Sequence, residues 1–162
     1  MVNTRNFLFW GGVALIVIAG AIFFRSSSTQ TPSSMESEFP GYQTGSLEVR
    51  NVRLNIVFAK TDLERMQGLG DRPTLSEDTG MFFVFPVSDT YGFWMRHMQF
   101  PIDMIWIDEN FRIVHIEKSV TPDSFPETFT PDAPARFVLE TSAGFAKKNG
   151  ILIGDIAHVS DF

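Results

Sequence analysis

The chain has 162 residues, which is enough for one domain of ordinary size whose core needs no disulfide bonds. It contains no cysteine, so disulfides, thiolate metal sites and a cysteine nucleophile are all excluded. The formal net charge of −6 lacks the basic excess that nucleic-acid-binding proteins carry, and we therefore expect no nucleic-acid partner.

The chain begins with an uncharged apolar run at residues 7–24, bracketed by Arg5 and Arg25. A helix of this length spans about 27 Å, close to the hydrocarbon thickness of a bilayer. The run predicts that residues 1–25 form a transmembrane anchor, which makes the membrane one partner of the chain. The small residues at 19–21 also fit a signal-peptide cleavage site, and cleavage there would release a secreted protein. The apolar run continues beyond that site, which favours the uncleaved anchor. Under either interpretation we expect the remaining chain outside the cytoplasm.

Residues 26–46 are rich in Ser, Thr, Pro and Gly. Such a composition offers too little apolar surface to order itself, so it predicts a flexible linker. We expect the folded domain at residues 47–162.

The pattern of residues 47–162 predicts an α+β domain made mostly of antiparallel strands in a compact, barrel-like sheet. Thr61 and Glu64 form a capping box that starts a short helix, at about residues 61–69, and a second helix is predicted at about 142–149. Alternating or apolar runs predict seven strands, at residues 52–59, 81–85, 90–95, 104–108, 111–117, 135–140 and 154–160. Residues 119–134 contain four prolines and predict a long loop, a feature that often carries function.

Five blocks of this domain read "TDLERMQGL", "GMFFVF", "FWMRHMQFPIDMIWID", "VLETSAG" and "GILIGD". In their order and spacing they resemble the DUF192 family, a prokaryotic family of unknown function. Gly70 stands where the family usually has a methionine, and Arg96-His97-Met98 stands where it usually has Lys-Asn-Thr. The resemblance implies a compact β-rich fold with short helices. It implies no known chemistry.

The candidate ligand-binding residues are polar or aromatic side chains in or next to these motifs. Trp94 would supply a stacking surface, while Arg96 and Asp103 would hydrogen-bond a ligand at one rim of the sheet. Two further arginines bracket a helix end and could clamp an anion. The full set is Arg65, Arg72, Trp94, Arg96, Asp103 and Glu140. The alternative is that these charges neutralise one another, with Asp103 paired to one of the three arginines.

Other kinds of site have less support. Asp103, Asp108 and Glu140 would be the carboxylates of a hydrolase, but no spacing requires them to meet. The three histidines lack the spacing of metal ligands, so we expect no metal and no cofactor.

The sequence thus favours a membrane-tethered extracytoplasmic module that binds a small ligand or an envelope protein and has no chemistry of its own. A small envelope hydrolase acting on sugar or peptidoglycan-like substrates is the first alternative. A structural partner of another envelope protein is the second.

Overall fold

The computed structural model describes residues 34–162, except for the side chains of Ser34 and Glu36. Its helices are α1 (Ser34–Glu38), α2 (Asp62–Gln67) and α3 (Phe145–Lys148), with one 3-10 turn at Pro122–Ser124. Its strands are β1 (Thr44–Val49), β2 (Val52–Ala59), β3 (Thr79–Asp89), β4 (Ile102–Ile107), β5 (Ile113–Val120), β6 (Ala135–Ser142) and β7 (Ala157–Ser160). No helix in this range is long and apolar enough to cross a membrane. The predicted anchor at residues 1–25 lies outside the described residues and stays a prediction.

The strands form one sheet in the order β5-β4-β6-β3-β2-β1-β7. All neighbouring pairs are antiparallel except β2 and β3, whose parallel pairing requires a crossover, and α2 lies within that crossover. An antiparallel bridge between Arg112 and Ile156 connects the chain just before β5 with the chain just before β7. The two edge strands therefore approach each other at one end, and the sheet has the predicted barrel-like curvature.

The sheet is covered on both faces. In β2, Leu54, Ile56 and Phe58 belong to one core, while Val57 and Ala59 belong to the other. Helix α3 contributes to the first core and α1 to the second. Strand β4 is buried at all six positions, as expected for a central strand with no solvent-facing side.

The α+β class, the mostly antiparallel sheet and the two predicted short helices are confirmed. Helix α2 starts with the predicted capping box, in which Thr61 and Glu64 bond each other's backbone N–H groups. The number of strands also agrees, but only because one strand was predicted wrongly and another was missed. The predicted strand at 90–95 does not form, since only Phe93 makes an isolated bridge, to Phe129. Strand β1 was not predicted.

The domain begins earlier than the sequence suggests. Within the predicted linker at 26–46, the structure shows α1 and the start of β1, and Phe39 is only 1% exposed. Arg72 holds this segment, because its guanidinium donates to the Glu38 carbonyl (2.6 Å) and lies 4.0 Å from the Phe39 ring centre. Residues 34–46 are thus part of the fold, and residues 26–33 lie outside the described range.

Candidate functional site

A cavity of about 760 Å³ opens on the face of the sheet that carries α2. Its floor comes from β3 and β6, and its sides come from α2, the turn after α2 and the chain from Gly92 to Met98. The buried lining residues include Phe83, Leu69 and Glu140. Its volume falls in the range of sites that bind small molecules.

Glu140 is the unusual residue of this cavity. It lies in the middle of β6, opposite Met81 of β3 and Met104 of β4, and is only 5% exposed. No described residue forms a hydrogen bond or ion pair with its carboxyl group, and Oε2 is fully buried. Burial raises the pKa of Glu140 to about 8, so the group is mostly uncharged at neutral pH. A buried acid thus lines the cavity with no bonding partner among residues 34–162.

Aromatic rings form the wall beside this acid. Phe93 packs edge-on against Phe83, with ring centres 4.9 Å apart, and against Phe85 at 6.3 Å. Trp94 also lines the cavity but is 53% exposed, which places it at the mouth. The wall thus combines an exposed indole at the mouth with the half-buried rings of Phe85 and Phe93 and the buried ring of Phe83.

Helix α2 forms another side of the cavity, and hydrogen bonds rather than apolar packing hold it there. It has no buried side chain. Arg65 donates to the carbonyl of Lys60 and to that of Val84 (2.7 Å), and it pairs with Asp62. The apolar residues of α2, Leu63 and Met66, are 78% and 81% exposed at the mouth. The apolar side chains of α2 are thus turned to solvent.

Arg96 also stands at the mouth. Its side chain is exposed, lines the cavity, and has no hydrogen-bond or ion-pair partner within residues 34–162. Next to it, His97 and Asp71 approach to 3.5 Å, and both are exposed. Arg96 is therefore available to a ligand, whereas Arg65 is already engaged.

The structure brings four of the six candidate residues to this cavity: Arg65, Trp94, Arg96 and Glu140. The other two, Arg72 and Asp103, do not line it. Arg72 anchors α1, as described above. Whether any of the six binds a ligand remains a prediction.

The predicted pairing of Asp103 with an arginine is wrong. The Asp103 carboxylate is fully buried and accepts hydrogen bonds from three backbone N–H groups, those of Ser119 (2.7 Å), Gly144 (3.0 Å) and Ala146 (2.8 Å). Two of these donors belong to the start of α3 and its cap, and the third comes from the end of β5. Asp103 thus joins three segments of the fold.

Sequence reasoning identified Trp94 but missed the rest of the aromatic wall. It predicted strands at residues 81–85 and 90–95 and, apart from Trp94, no site residue in either, although Phe83, Phe85 and Phe93 line the cavity. The available signal was Glu140 itself, because a glutamate in the buried run "FVLE" needs a reason to be there.

A second polar cluster lies away from the cavity. His115 sits between Glu117 (3.0 Å) and Asp132 (2.9 Å), and its ring packs edge-on against Trp106. Burial alone lowers the pKa of His115, but the hydrogen bonds and charges of the two carboxylates outweigh it, and the net pKa is raised. No group of three or more metal-ligating side chains occurs within residues 34–162.

Comparison with known proteins identifies relatives but no activity. Residues 45–159 match the model of the DUF192 family, which is described as an uncharacterized ACR. A proposed transcription regulator from Sinorhizobium meliloti 1021 has a similar crystal structure, with 27% identity, a TM-score of 0.71, and coverage of 75% of this chain and 97% of that one. A protein of unknown function from Novosphingobium aromaticivorans is similar at 27% identity and a TM-score of 0.70, covering 74% and 88%. No curated protein matches this chain.

Proposed function

We propose that this chain, which belongs to the DUF192 family, is a binding module that takes a small ligand into the cavity beside Glu140. The observation that carries the proposal is the Glu140 carboxyl, which lines a cavity and has no partner among the described residues. Residues 7–24 would hold the module at a membrane, with the binding domain outside the cytoplasm.

The unpartnered carboxyl group of Glu140 lowers the stability of the fold. A buried polar group without a hydrogen bond destabilises a fold by about 1–3 kcal/mol. Glutamine or leucine at position 140 would avoid the ionisable group, which no described residue bonds. A ligand that hydrogen-bonds the acid would recover this free energy on binding.

The mouth of the cavity supports the same interpretation. Trp94, Leu63 and Met66 expose apolar surface around it, and Arg96 adds a charge with no partner within residues 34–162. Exposed apolar residues around a mostly apolar cavity that contains a few polar groups are typical of binding sites. The ligand would thus have an apolar body, with a polar group at its inner end.

A fragment screen by ligand-observed NMR on the full-length chain tests this proposal. We expect hits whose signals disappear in Glu140→Leu, which fills the same space without a polar group. The matched control is Glu48→Gln, which changes an exposed carboxyl on β1 and should keep the hits. Hits that bind equally well to Glu140→Leu would place the ligand elsewhere, and a screen without hits would refute the proposal.

A small hydrolase is the second candidate, and the raised pKa of Glu140 favours it. An acid that is still protonated at neutral pH can donate its proton to a leaving group. Sugar hydrolysis also requires a second carboxylate. Asp71 and Glu64 line the same cavity. The Glu64 carboxylate, however, already accepts hydrogen bonds from the backbone N–H groups of Lys60 and Thr61 at the cap of α2. Asp71 is therefore the residue to test, and loss of turnover in Asp71→Asn with retained binding would indicate catalysis.

A further inference from the structure

We propose that the ligand presents an organic cation, such as an amidinium or ammonium group, to Glu140. This inference rests on the proposed binding function and adds the chemical class of the group at the inner end of the ligand. It is argued from the identity of residue 140, from the charges around it and from the rings beside it.

The side chain at position 140 is itself evidence for a cationic ligand. A hydroxyl or an amide at position 140 could recognise a neutral group and would have no charge to desolvate. Unlike a hydroxyl or an amide, an ionised carboxyl group supplies a full negative charge to a ligand. A buried glutamate is therefore best explained by a ligand that needs that charge.

No side chain of the described range pairs with this acid. Arg65 also lines the cavity, but its guanidinium is bonded to two backbone carbonyls and to Asp62. Arg96 is exposed at the mouth and pairs with no described residue, Glu140 included. The ion partner of Glu140 is thus left for the ligand to supply.

The charge balance of the lining also favours a cation. Apart from Glu140, its charged residues are Glu64 and Asp71, which are acidic, and Arg65 and Arg96, which are basic; His97 is the other titratable group, with Tyr42. The formal charges of the two acids and the two arginines cancel. Ionisation of Glu140 would leave the cavity with one net negative charge, which a monovalent cation neutralises.

The aromatic wall supports a cation in the same place. Ring faces attract cations, and pockets that bind ammonium groups commonly combine several rings with a carboxylate. Phe83, Phe93 and Trp94 all line the cavity that Glu140 lines. An apolar ligand body would pack on these rings while its cationic group meets the acid.

Binding of a cation by Glu140 should depend on pH. A cation pairs with the ionised form of Glu140, and burial keeps the pKa of that group near 8 in the empty cavity. Binding at pH 7 would therefore release a proton. The observed affinity should rise about tenfold between pH 7 and pH 9, a range that lies mostly above the titration of histidine.

Three compounds of nearly the same shape test the inference on the full-length chain: benzamidinium, benzamide and benzoate. They place a cationic, a neutral and an anionic group on the same ring. By calorimetry we expect benzamidinium to bind about tenfold more tightly than benzamide at pH 9, because charged hydrogen bonds are stronger. Its affinity should show the tenfold rise with pH, with proton release at pH 7. Glu140→Gln should remove the preference for the cation, and Glu48→Gln should keep it.

The outcomes separate this inference from the wider proposal. Benzamide binding best, in a way that requires Glu140, would overturn the cation and leave the binding function in place. If benzoate binds best and its binding is lost in Arg96→Gln, the ligand is recognised by Arg96 at the mouth, and the cation proposal is overturned as well. No binding of benzamidinium at millimolar concentration would also overturn it, and the fragment screen would then decide the binding function alone. The comparison of the three compounds on the unmodified chain stands even if Glu140→Gln fails to fold.

Discussion

Burial raises the pKa of Glu140 from 4.5 to about 8, and this shift makes the stability of the fold depend on pH. Between these two values the unfolded chain releases a proton that the folded chain keeps. The stabilising contribution is therefore fully present below pH 4.5 and is lost as the pH rises through 8. Relative to its value below pH 4.5, the contribution of Glu140 to the free energy of unfolding falls by about 3 kcal/mol at pH 7 and by about 5 kcal/mol above pH 8.

We predict that Glu140→Gln removes this dependence. Its free energy of unfolding, relative to the unmodified chain, should rise by about 3 kcal/mol between pH 4 and pH 7. Urea unfolding at a series of pH values measures the difference, and other titrating groups such as His115 cancel because both chains contain them. Glu48→Gln should give a constant difference. A constant difference for Glu140→Gln as well would mean that water reaches the acid and that its pKa is ordinary.

Single residues also show what the sequence could not reveal. A carboxylate at position 103, within an apolar run, indicated a group that needs partners but left open whether it is buried. Its partners could not be predicted, because they are backbone N–H groups of residues 16, 41 and 43 positions away. Side-chain identity says nothing about which N–H groups the fold leaves free. Glu140, also in an apolar run, likewise indicated a group that needs partners. Only the structure shows that no described residue bonds its carboxyl group.

At the scale of elements, α2 shows how a short helix can stay in place without burying any side chain. Its capping box satisfies the first N–H groups, and Arg65 connects it to the carbonyls of Lys60 and Val84. A helix this short is unstable alone, so these bonds must hold it. The side of the cavity that α2 forms thus depends on one guanidinium.

We predict that Arg65→Lys releases α2 while the sheet stays folded. A lysine has no planar fork and cannot bond both carbonyls and Asp62 in the same geometry. Amide hydrogen exchange should become faster at residues 62–70 and stay unchanged in β4 and β6. Leu63→Gln is the control, since Leu63 is 78% exposed and its loss should leave exchange unaltered. Slow exchange at residues 62–70 in Arg65→Lys would show that the cap alone suffices.

Elements that depend on neighbouring residues in the sequence were predicted correctly, and those that depend on distant parts of the fold were not. The bounds predicted for β2 agree with the structure, and α2 was found from its cap, because alternation and capping are local. Residues 90–95 have strand-forming side chains, but β3 and β6 each already have two neighbours in the sheet. The segment therefore crosses the cavity instead, with one bridge at Phe93. Strand formation depends on a free edge, which a local pattern cannot show.

At the scale of the whole molecule, the cavity arises from the way the second core is covered. Helix α3 and its flanking residues fill the other face of the sheet. On this face, α2 contributes no buried side chain, and the chain from Gly92 to Met98 passes beside it without pairing as a strand. The space between them is the cavity. No residue pattern predicts a gap between two elements, so the sequence supplied four lining residues but not the site.

The boundary of the folded unit leads to a prediction about the complete chain. Deletion of residues 1–33 should leave a domain that folds and no longer fractionates with membranes, because both cores lie within the described residues. Deletion of residues 1–46 should destabilise it, since that change removes Met35, Phe39 and half of β1. Thermal unfolding of the two truncated chains measures the difference.

The full-length chain should instead be found with membranes at its uncut mass, because residues 7–24 form an uncharged run long enough to span a bilayer. Fractionation and mass spectrometry test this together. Introducing Asp at Val17, in the middle of the run, should weaken retention, because an isolated charge at the bilayer centre costs about 2.5–3.5 kcal/mol. The conservative change Val17→Leu is the control and should leave retention intact. A product that begins near Ile22 and is released from the cells would instead establish a cleaved signal peptide, and the binding module would then work free of the membrane.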